Sequence, residues 1–318
     1  MTHGFWDKLP RPFFTLAPMA DVTDAAFRRI IAKYGKPDVM WTEFVSVDGL
    51  RSRGRDALMH DLSFTEVERP IVAQIFGSTP EHFPEITGMI ADLGFDGIDI
   101  NMGCPDRNIE KQGAGASMMK DPKRAQEVIL AAMEGSKGLP VSVKTRIGYN
   151  TVELETWLPA ILETKPAAVT IHARTRKEMS DVPANWSYVK RAVEIAKGSG
   201  TLIIGNGDVR DLEDATMKTI ETGADGAMLG RAVFGNPWLF NKTTQISDVP
   251  LATRLEVMIE HTRLFEEMFR DVKNFSIMKK HYKAYVNGFD GAKELRIALM
   301  EAESADEVES RVCAFVSH

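Results

Sequence analysis

Eight short segments rich in β-branched and other apolar residues recur along the chain: 13–19 (FFTLAPM), 38–45 (DVMWTEFV), 70–76 (PIVAQIF), 97–102 (GIDINM), 140–147 (PVSVKTRI), 167–173 (AAVTIHA), 201–206 (TLIIGN) and 226–231 (GAMLGR). Helical periodicity fills most of the gaps between them, as at 23–34, 122–134, 187–197 and 211–222. Strand and helix therefore alternate as far as residue 231. The strands are near-continuous apolar runs rather than in/out alternations, the pattern of a parallel sheet covered on both faces. Eight such units, each strand closing on a polar residue or glycine, predict an α/β fold of the (β/α)8 TIM-barrel type in preference to an open doubly wound sheet.

The pattern changes beyond about residue 251, where 251–270, 275–287, 292–300 and 304–316 read as helices with no further strand. The polar stretch 241–250 (NKTTQISDVP) suits a linker. We therefore expect a barrel domain over 1–245 and a small all-helical domain over 246–318, although the first of these helices could instead close the barrel as its eighth. A chain of 318 residues buries enough surface to need no disulfide or metal as a supplement. Its two cysteines, Cys104 and Cys313, form neither a disulfide framework nor a four-ligand zinc site and point to a reducing compartment. No apolar run approaches the ~18 residues of a membrane span, and the first residues lack a cationic start followed by an apolar stretch. A cytoplasmic protein without membrane contact, without a bound metal and acting as a monomer is the expectation.

In a barrel of this kind the C-terminal ends of the strands carry the chemistry, so the polar residues there form the candidate site. They are Pro18 and Met19 after strand one, Gln74 on strand three, Asn101 and Cys104 after strand four, and Lys144 and Arg146 on strand five. Strand six contributes His172 and Arg174, strand seven Gly205, Asn206, Gly207 and Asp208, and strand eight Gly230 and Arg231. Glycine-rich turns after the last two strands are the usual phosphate site of such barrels, because Gly205, Gly207 and Gly230 let backbone amides approach an anion; tight βα turns are the plainer reading. Lys144 suits a Schiff-base nucleophile, a fixed cation beside an electron-rich ring system, or a lysine snorkelling from a strand end. Cys104 lies in a Gly-Cys-Pro turn. A thiol of reference pKa about 8.5 is mostly protonated at neutral pH and can donate a proton as well as attack. Buried cysteines are more often inert, and Cys313, on an amphipathic terminal helix, carries little sign of a role.

The stretch 98–116 (IDINMGCPDRNIEKQGAGA) resembles the signature of the tRNA-dihydrouridine synthases position by position. APMADVTD at 17–24, VAQIFG at 72–77, VSVKTRIG at 141–148, IHARTR at 171–176, GNGDV at 205–209 and GRAVFGNPWLF at 230–240 follow in the family's order. The resemblance implies a flavin mononucleotide (FMN) enzyme that reduces the C5–C6 double bond of uridine in tRNA, with NADPH as reductant. It implies that Pro18, Met19 and Gln74 line the flavin ring, that Lys144 and His172 meet its polar edge, and that Asn206, Gly207, Asp208, Gly230 and Arg231 hold its phosphate. Cys104 would protonate C5 of the base, Asn101 would orient the base, and Arg174 would contact the base or its phosphate. Asp106, Arg107 and Ala173 depart from the family's usual residues, and 177–186 (KEMSDVPANW) lacks a glycine common before the tryptophan; all sit in loops around the cleft.

Thirty-nine basic against 45 acidic residues give a net charge of −6 and exclude a general polycation, so RNA contact requires a local patch and DNA is not an expected partner. Arg270 to Arg296 supplies seven basic residues against three acidic, Lys279 and Lys280 among them, with His281, Tyr282 and Tyr285 as possible stacking rings; an ordinary solvated helix face is the alternative. Arg51, Arg53 and Arg55 form a second basic run. The competing functions are a flavin barrel acting on a small pyrimidine such as dihydroorotate, a non-catalytic tRNA-binding protein, and a Schiff-base aldolase.

Overall fold

The computed structural model of the chain describes residues 3–317. The chain forms two compact units, one made of the residues up to Met19 with Asp38–Gly230, the other of Ala20–Pro37 with everything from Arg231 on.

The first unit is the expected barrel. Its strands are β1 (Phe13–Leu16), β2 (Met40–Trp41), β3 (Ile71–Phe76), β4 (Gly97–Met102), β5 (Val141–Arg146), β6 (Ala168–His172), β7 (Leu202–Asn206) and β8 (Gly226–Leu229). All pair in parallel, each with its sequence neighbour, and β8 returns to β1. Between β1 and β2 the ring is completed by a single bridge, Thr15 to Val39, supported by Asp38 N–H to Phe14 O at 2.9 Å. β2 is shorter than its apolar run because the chain lifts away at Thr42 and rejoins β3 as the short strand Val45–Ser46. At the break the Thr42 hydroxyl accepts the Gln74 N–H at 3.1 Å, which keeps that buried donor satisfied. Trp6, carried on the turn Gly4–Lys8, packs with Phe13, Trp41, Val72, Ala168, Ile204 and Met228 into one apolar cluster.

Helices Phe83–Asp92, Pro122–Gly135, Leu154–Glu163, Ser187–Ala196 and Leu212–Thr222 follow successive strands, each with an apolar side buried. Their starts are written locally: Asp121 accepts from Arg124 N–H with Pro122 in the first helical position, and Asp211 accepts from Asp214 N–H.

The second unit is all helical: Ala25–Tyr34, Leu251–Phe269, Met278–Tyr285, Ala292–Met300 and Ala305–Val316. Its core gathers Ile30, Trp238, Met258, Phe265, Tyr282 and Leu299. Contacts group 231–245 with these helices, in contrast to a boundary at 245/246, because Trp238 enters that core and packs its ring at a tilt against Tyr34, centroids 5.3 Å apart. Helix Ala25–Tyr34 joins them too, through Lys33 and Tyr34 bonded to Glu260 at 2.7 and 2.6 Å. Among the described residues no helix is long and apolar enough to cross a membrane.

The helical unit corrects one expectation. His281, Tyr282 and Tyr285 are buried, so they are core residues and not rings for stacking on nucleobases. The reason is spacing: Met278, His281, Tyr282 and Tyr285 fall at intervals of three and four, one stripe of the helix, which packs inward. Lys283 is exposed and Lys279 and Lys280 are half-buried.

Candidate active site

The site begins with a row of side chains on neighbouring strands. Register sets Gln74 beside Asp99 and Asp99 beside Ser142, and two residues further along the same side it sets Asn101 beside Lys144. Ser142 Oγ donates to Asp99 Oδ1 and Gln74 Nε2 to Asp99 Oδ2, both at 2.6 Å. Asn101 Nδ2 donates to Gln74 Oε1 at 3.1 Å, and Asn101 Oδ1 accepts the N–H groups of Gly103 and Cys104 at 3.1 and 2.9 Å. A buried carboxylate is thus connected by direct hydrogen bonds to the backbone of Cys104. Burial pushes Asp99 up to about 6, against the hydrogen bonds from Ser142 and Gln74 that favour its charged form.

Cys104 leads out of β4 into a tight loop. The Ala116 N–H closes back on the Cys104 carbonyl at 2.9 Å. Gly115 between them has φ +60°, and a Cβ there would stand 2.7 Å from that carbonyl oxygen, so no other residue fits. The thiol is half-buried against Phe76, Ile109 and Ala114. Burial raises its pKa above the ordinary 9.0, with Arg146 and Lys144 pulling the other way. At neutral pH Cys104 is a thiol with a proton to give.

Lys144 reaches Asn206 Oδ1 at 3.3 Å, and Asn206 Nδ2 is anchored on Met228 O at 2.8 Å. Burial first, then Arg146, draws the ammonium down to about 8, while Asp99 and Cys104 oppose the shift. It remains mostly charged at pH 7. Arg146 clamps the loops, donating to Gly103 O at 2.8 Å, Thr175 O at 3.2 Å and Met179 O at 2.9 Å.

Past β6, Arg174 is buried and its guanidinium is engaged by His172 Nε2 at 3.1 Å, Val182 O at 2.6 Å and the Asp208 carboxylate. Asp208 also accepts the Ala184 N–H at 2.8 Å and sits at φ +48°. Gly207 has φ +121°, and a Cβ there would stand 2.7 Å from Ala184 Cβ and 3.1 Å from His172 Cδ2. Gly205 has a different reason for being glycine than an approaching anion. The Trp186 ring lies on it, 2.2 Å from where a Cβ would be, and Trp186 Nε1 donates to Gly207 O at 2.8 Å. Pro18 is buried, Met19 is half-buried, and Gly230 lies within ordinary contact of Ala17 and Met19.

Pro18, Met19, Gln74, Asn101, Cys104, Lys144, His172, Arg174, Asn206, Gly207, Asp208 and Gly230 thus all belong to the barrel unit, at or near its strand ends. Arg231, Lys279 and Lys280 belong to the helical unit. Asp99 lies outside the set expected from sequence, although an acid two residues before Asn101 in an otherwise apolar strand shares its face and is the available signal.

A closed parallel barrel with a thiol, an ammonium, an imidazole and amides at its strand ends is the architecture of a barrel enzyme. The sequence model of the dihydrouridine synthase family matches residues 15–317, and the chain belongs to that family. It is 41% identical to "Probable tRNA-dihydrouridine synthase 2" of Bacillus subtilis, over 97% of this chain and 95% of that protein. It is 39% identical to "Probable tRNA-dihydrouridine synthase" of Staphylococcus epidermidis, over 99% of this chain and 97% of the relative. Among solved structures it resembles an old yellow enzyme homologue from Zymomonas mobilis with a TM-score of 0.51 and 11% identity, over 75% of this chain and 90% of the other, a likeness of fold alone.

Proposed function

We propose that the protein reduces the C5–C6 double bond of specific uridines in tRNA, using FMN at the barrel mouth and NADPH as reductant, and that it works as a monomer in the cytoplasm. The observation that carries this reading is the Cys104 turn, tied through Asn101, Gln74 and Asp99 to the same strands that present Lys144. The mouth suits a flavin. Among the described residues Lys144 makes one hydrogen bond and so keeps two of its three N–H donors for an electron-rich pyrimidine edge. At Gly207 the φ of +121° and the nearness of Ala184 and His172 keep the turn bare backbone, which is where the ligand's tail would be received. When bound, FMN supplies hydride delivery to C6 of the uracil.

The chain's own residues do the rest. Pro18, Met19 and Gln74 line the ring system, Lys144 and His172 face its polar edge, and Asn206, Gly207, Asp208, Gly230 and Arg231 receive the phosphate. Cys104 holds the proton that goes to C5 of the base. Asn101 has one N–H left after Gln74 and can offer it to the base, which must leave its stack to enter the mouth. Arg174, its guanidinium held by His172 and Asp208, contacts the base or its phosphate. Lys279 and Lys280 meet the tRNA backbone, an electrostatic and salt-dependent contact.

The test is the dihydrouridine content of tRNA from cells lacking the protein. Dihydrouridine should vanish at a defined position or positions, return with the wild-type gene, and stay low with Lys279→Glu/Lys280→Glu, a variant expected to keep its flavin. An unchanged dihydrouridine profile in the deletion strain would refute the proposed activity.

A further inference from the structure

The loop that follows Cys104 has to hold its thiol over the mouth, yet much of it, from Asp106 to Gly113, is exposed or half-buried. What fixes it is visible in the side chains. Glu110, on the short helix Arg107–Lys111, takes both Nε and Nη2 of Arg176 in a bidentate pair, the Nε bond being 2.8 Å long. Arg176 belongs to the loop after β6, and that loop is rigidly seated. Arg176 N–H donates to Gly148 O and Lys177 N–H to Tyr149 O, each at 2.9 Å, and Thr175 N–H donates to Glu178 Oε2 at 2.7 Å. Tyr149 backs the pair: the Arg176 guanidinium lies 5.3 Å from its ring centre and Lys120 Nζ 3.8 Å from it. Glu110 is held below its ordinary pKa, Arg176 and Tyr149 outweighing the effect of burial, and stays charged across the working range.

We infer that Glu110 and Arg176 are a positioning pair that latches the Cys104 loop to the β6 loop and thereby sets where the thiol points. It acts through the segment Ile109 to Ala116, whose Ile109 packs against Cys104 and whose Ala116 N–H holds the Cys104 carbonyl. Arg146, bonded to Gly103 O and to Thr175 O, makes a second link between the same two loops on the near side of Cys104, so loss of Glu110 should loosen the loop without unfolding the barrel. The inference rests on the proposed role of Cys104 as acid.

The test measures alkylation of Cys104 by iodoacetamide in the flavin-bound protein, followed by mass spectrometry of its peptide so that exposed Cys313 does not interfere. Glu110→Gln should raise the Cys104 rate about fivefold or more at every pH from 7 to 9, and lower kcat for tRNA about tenfold with KM little changed. Glu110→Arg/Arg176→Glu, which restores the pair with its charges exchanged, should bring both back toward wild type. An alkylation rate in Glu110→Gln equal to wild type, or a charge-exchanged variant no better than Glu110→Gln, overturns the latch. Failure of the underlying acid role shows separately, as a Cys104→Ala protein that still reduces tRNA.

Discussion

Cys104→Ala will bind FMN as the wild type does and lose dihydrouridine formation by a factor of about 10²–10⁴, the range that a positioned general acid contributes. Flavin retention follows from geometry, since the contacts that shape the turn are made by the Cys104 backbone and not its sulfur: Asn101 Oδ1 holds its N–H, and the Ala116 N–H holds its carbonyl. The loss follows from protonation. Burial keeps the thiol above its ordinary 9.0, so it carries a transferable proton throughout the neutral range. The two groups also separate in pH. Lys144, drawn down to about 8 by burial and Arg146, is charged below that pH and neutral above it. Wild-type activity should therefore begin to fall above about pH 8, before the thiol ionises. Absorbance of bound flavin and nucleoside analysis of treated tRNA measure both halves. A Cys104→Ala enzyme within threefold of wild type would remove the acid from the mechanism.

The second large effect is acid weakening of the helical unit. His261 and His281 are completely buried, with ring centres 4.8 Å apart at 77°, and none of their four ring nitrogens has a hydrogen-bond partner among the described residues. The groups around them are uncharged rings: Phe27 at 5.5 and 5.3 Å, Phe234 at 5.8 Å from His281 and Tyr285 at 6.0 Å from His261. Lys280 adds a further positive charge near His281. Burial lowers His261 to about 3 and, with His261 and Lys280, lowers His281 well below 6.5.

Depressed histidine pKa values mean that the unfolded chain binds the protons first. Stability is complete above about pH 6.5 and declines as pH falls beneath it, by about 1.4 kcal/mol per pH unit for each histidine. Between pH 6.5 and 5 the pair should cost about 3 kcal/mol. Buried Asp24 of the same unit is raised, chiefly by burial, and gains on acidification, so it works against part of this loss. Hydrogen exchange of the full chain at pH 7 and pH 5 should show helices Leu251–Phe269 and Met278–Tyr285 losing protection. His261→Gln/His281→Gln should flatten that dependence, and an equal loss of protection in the double variant would exclude the histidines as its source.

The barrel could be read from the sequence because its local signals agree. All eight strands lie within the predicted apolar segments, and helices such as Pro122–Gly135 and Ala292–Met300 match their predicted ranges to within a residue. β2 proved shorter than its apolar run, since apolarity reports burial and not where the ladder breaks at Thr42. The strand-end residues were legible for the same reason: a polar group closing an apolar strand stands out.

What stayed hidden depends on tertiary partners. Gly205 reads like Gly207 in sequence, and the Trp186 ring that explains it comes from a different loop. The Asp99–Gln74–Asn101 chain needs the register of two strands, and the Glu110–Arg176 latch joins residues 66 apart. His281, Tyr282 and Tyr285 are the instructive case. Their spacing with Met278 marks an inward stripe, while the surrounding lysines give the same segment the composition of a basic patch.

The most direct measurement is a single turnover. The protein with its FMN fully reduced, freed of NADPH, is mixed anaerobically with tRNA transcript lacking modification, and flavin oxidation is followed alongside dihydrouridine. The account predicts one dihydrouridine formed for each flavin oxidised, with no consumption of free uridine or orotate. Flavin that stays reduced in the presence of tRNA, or is oxidised without dihydrouridine appearing, would contradict it.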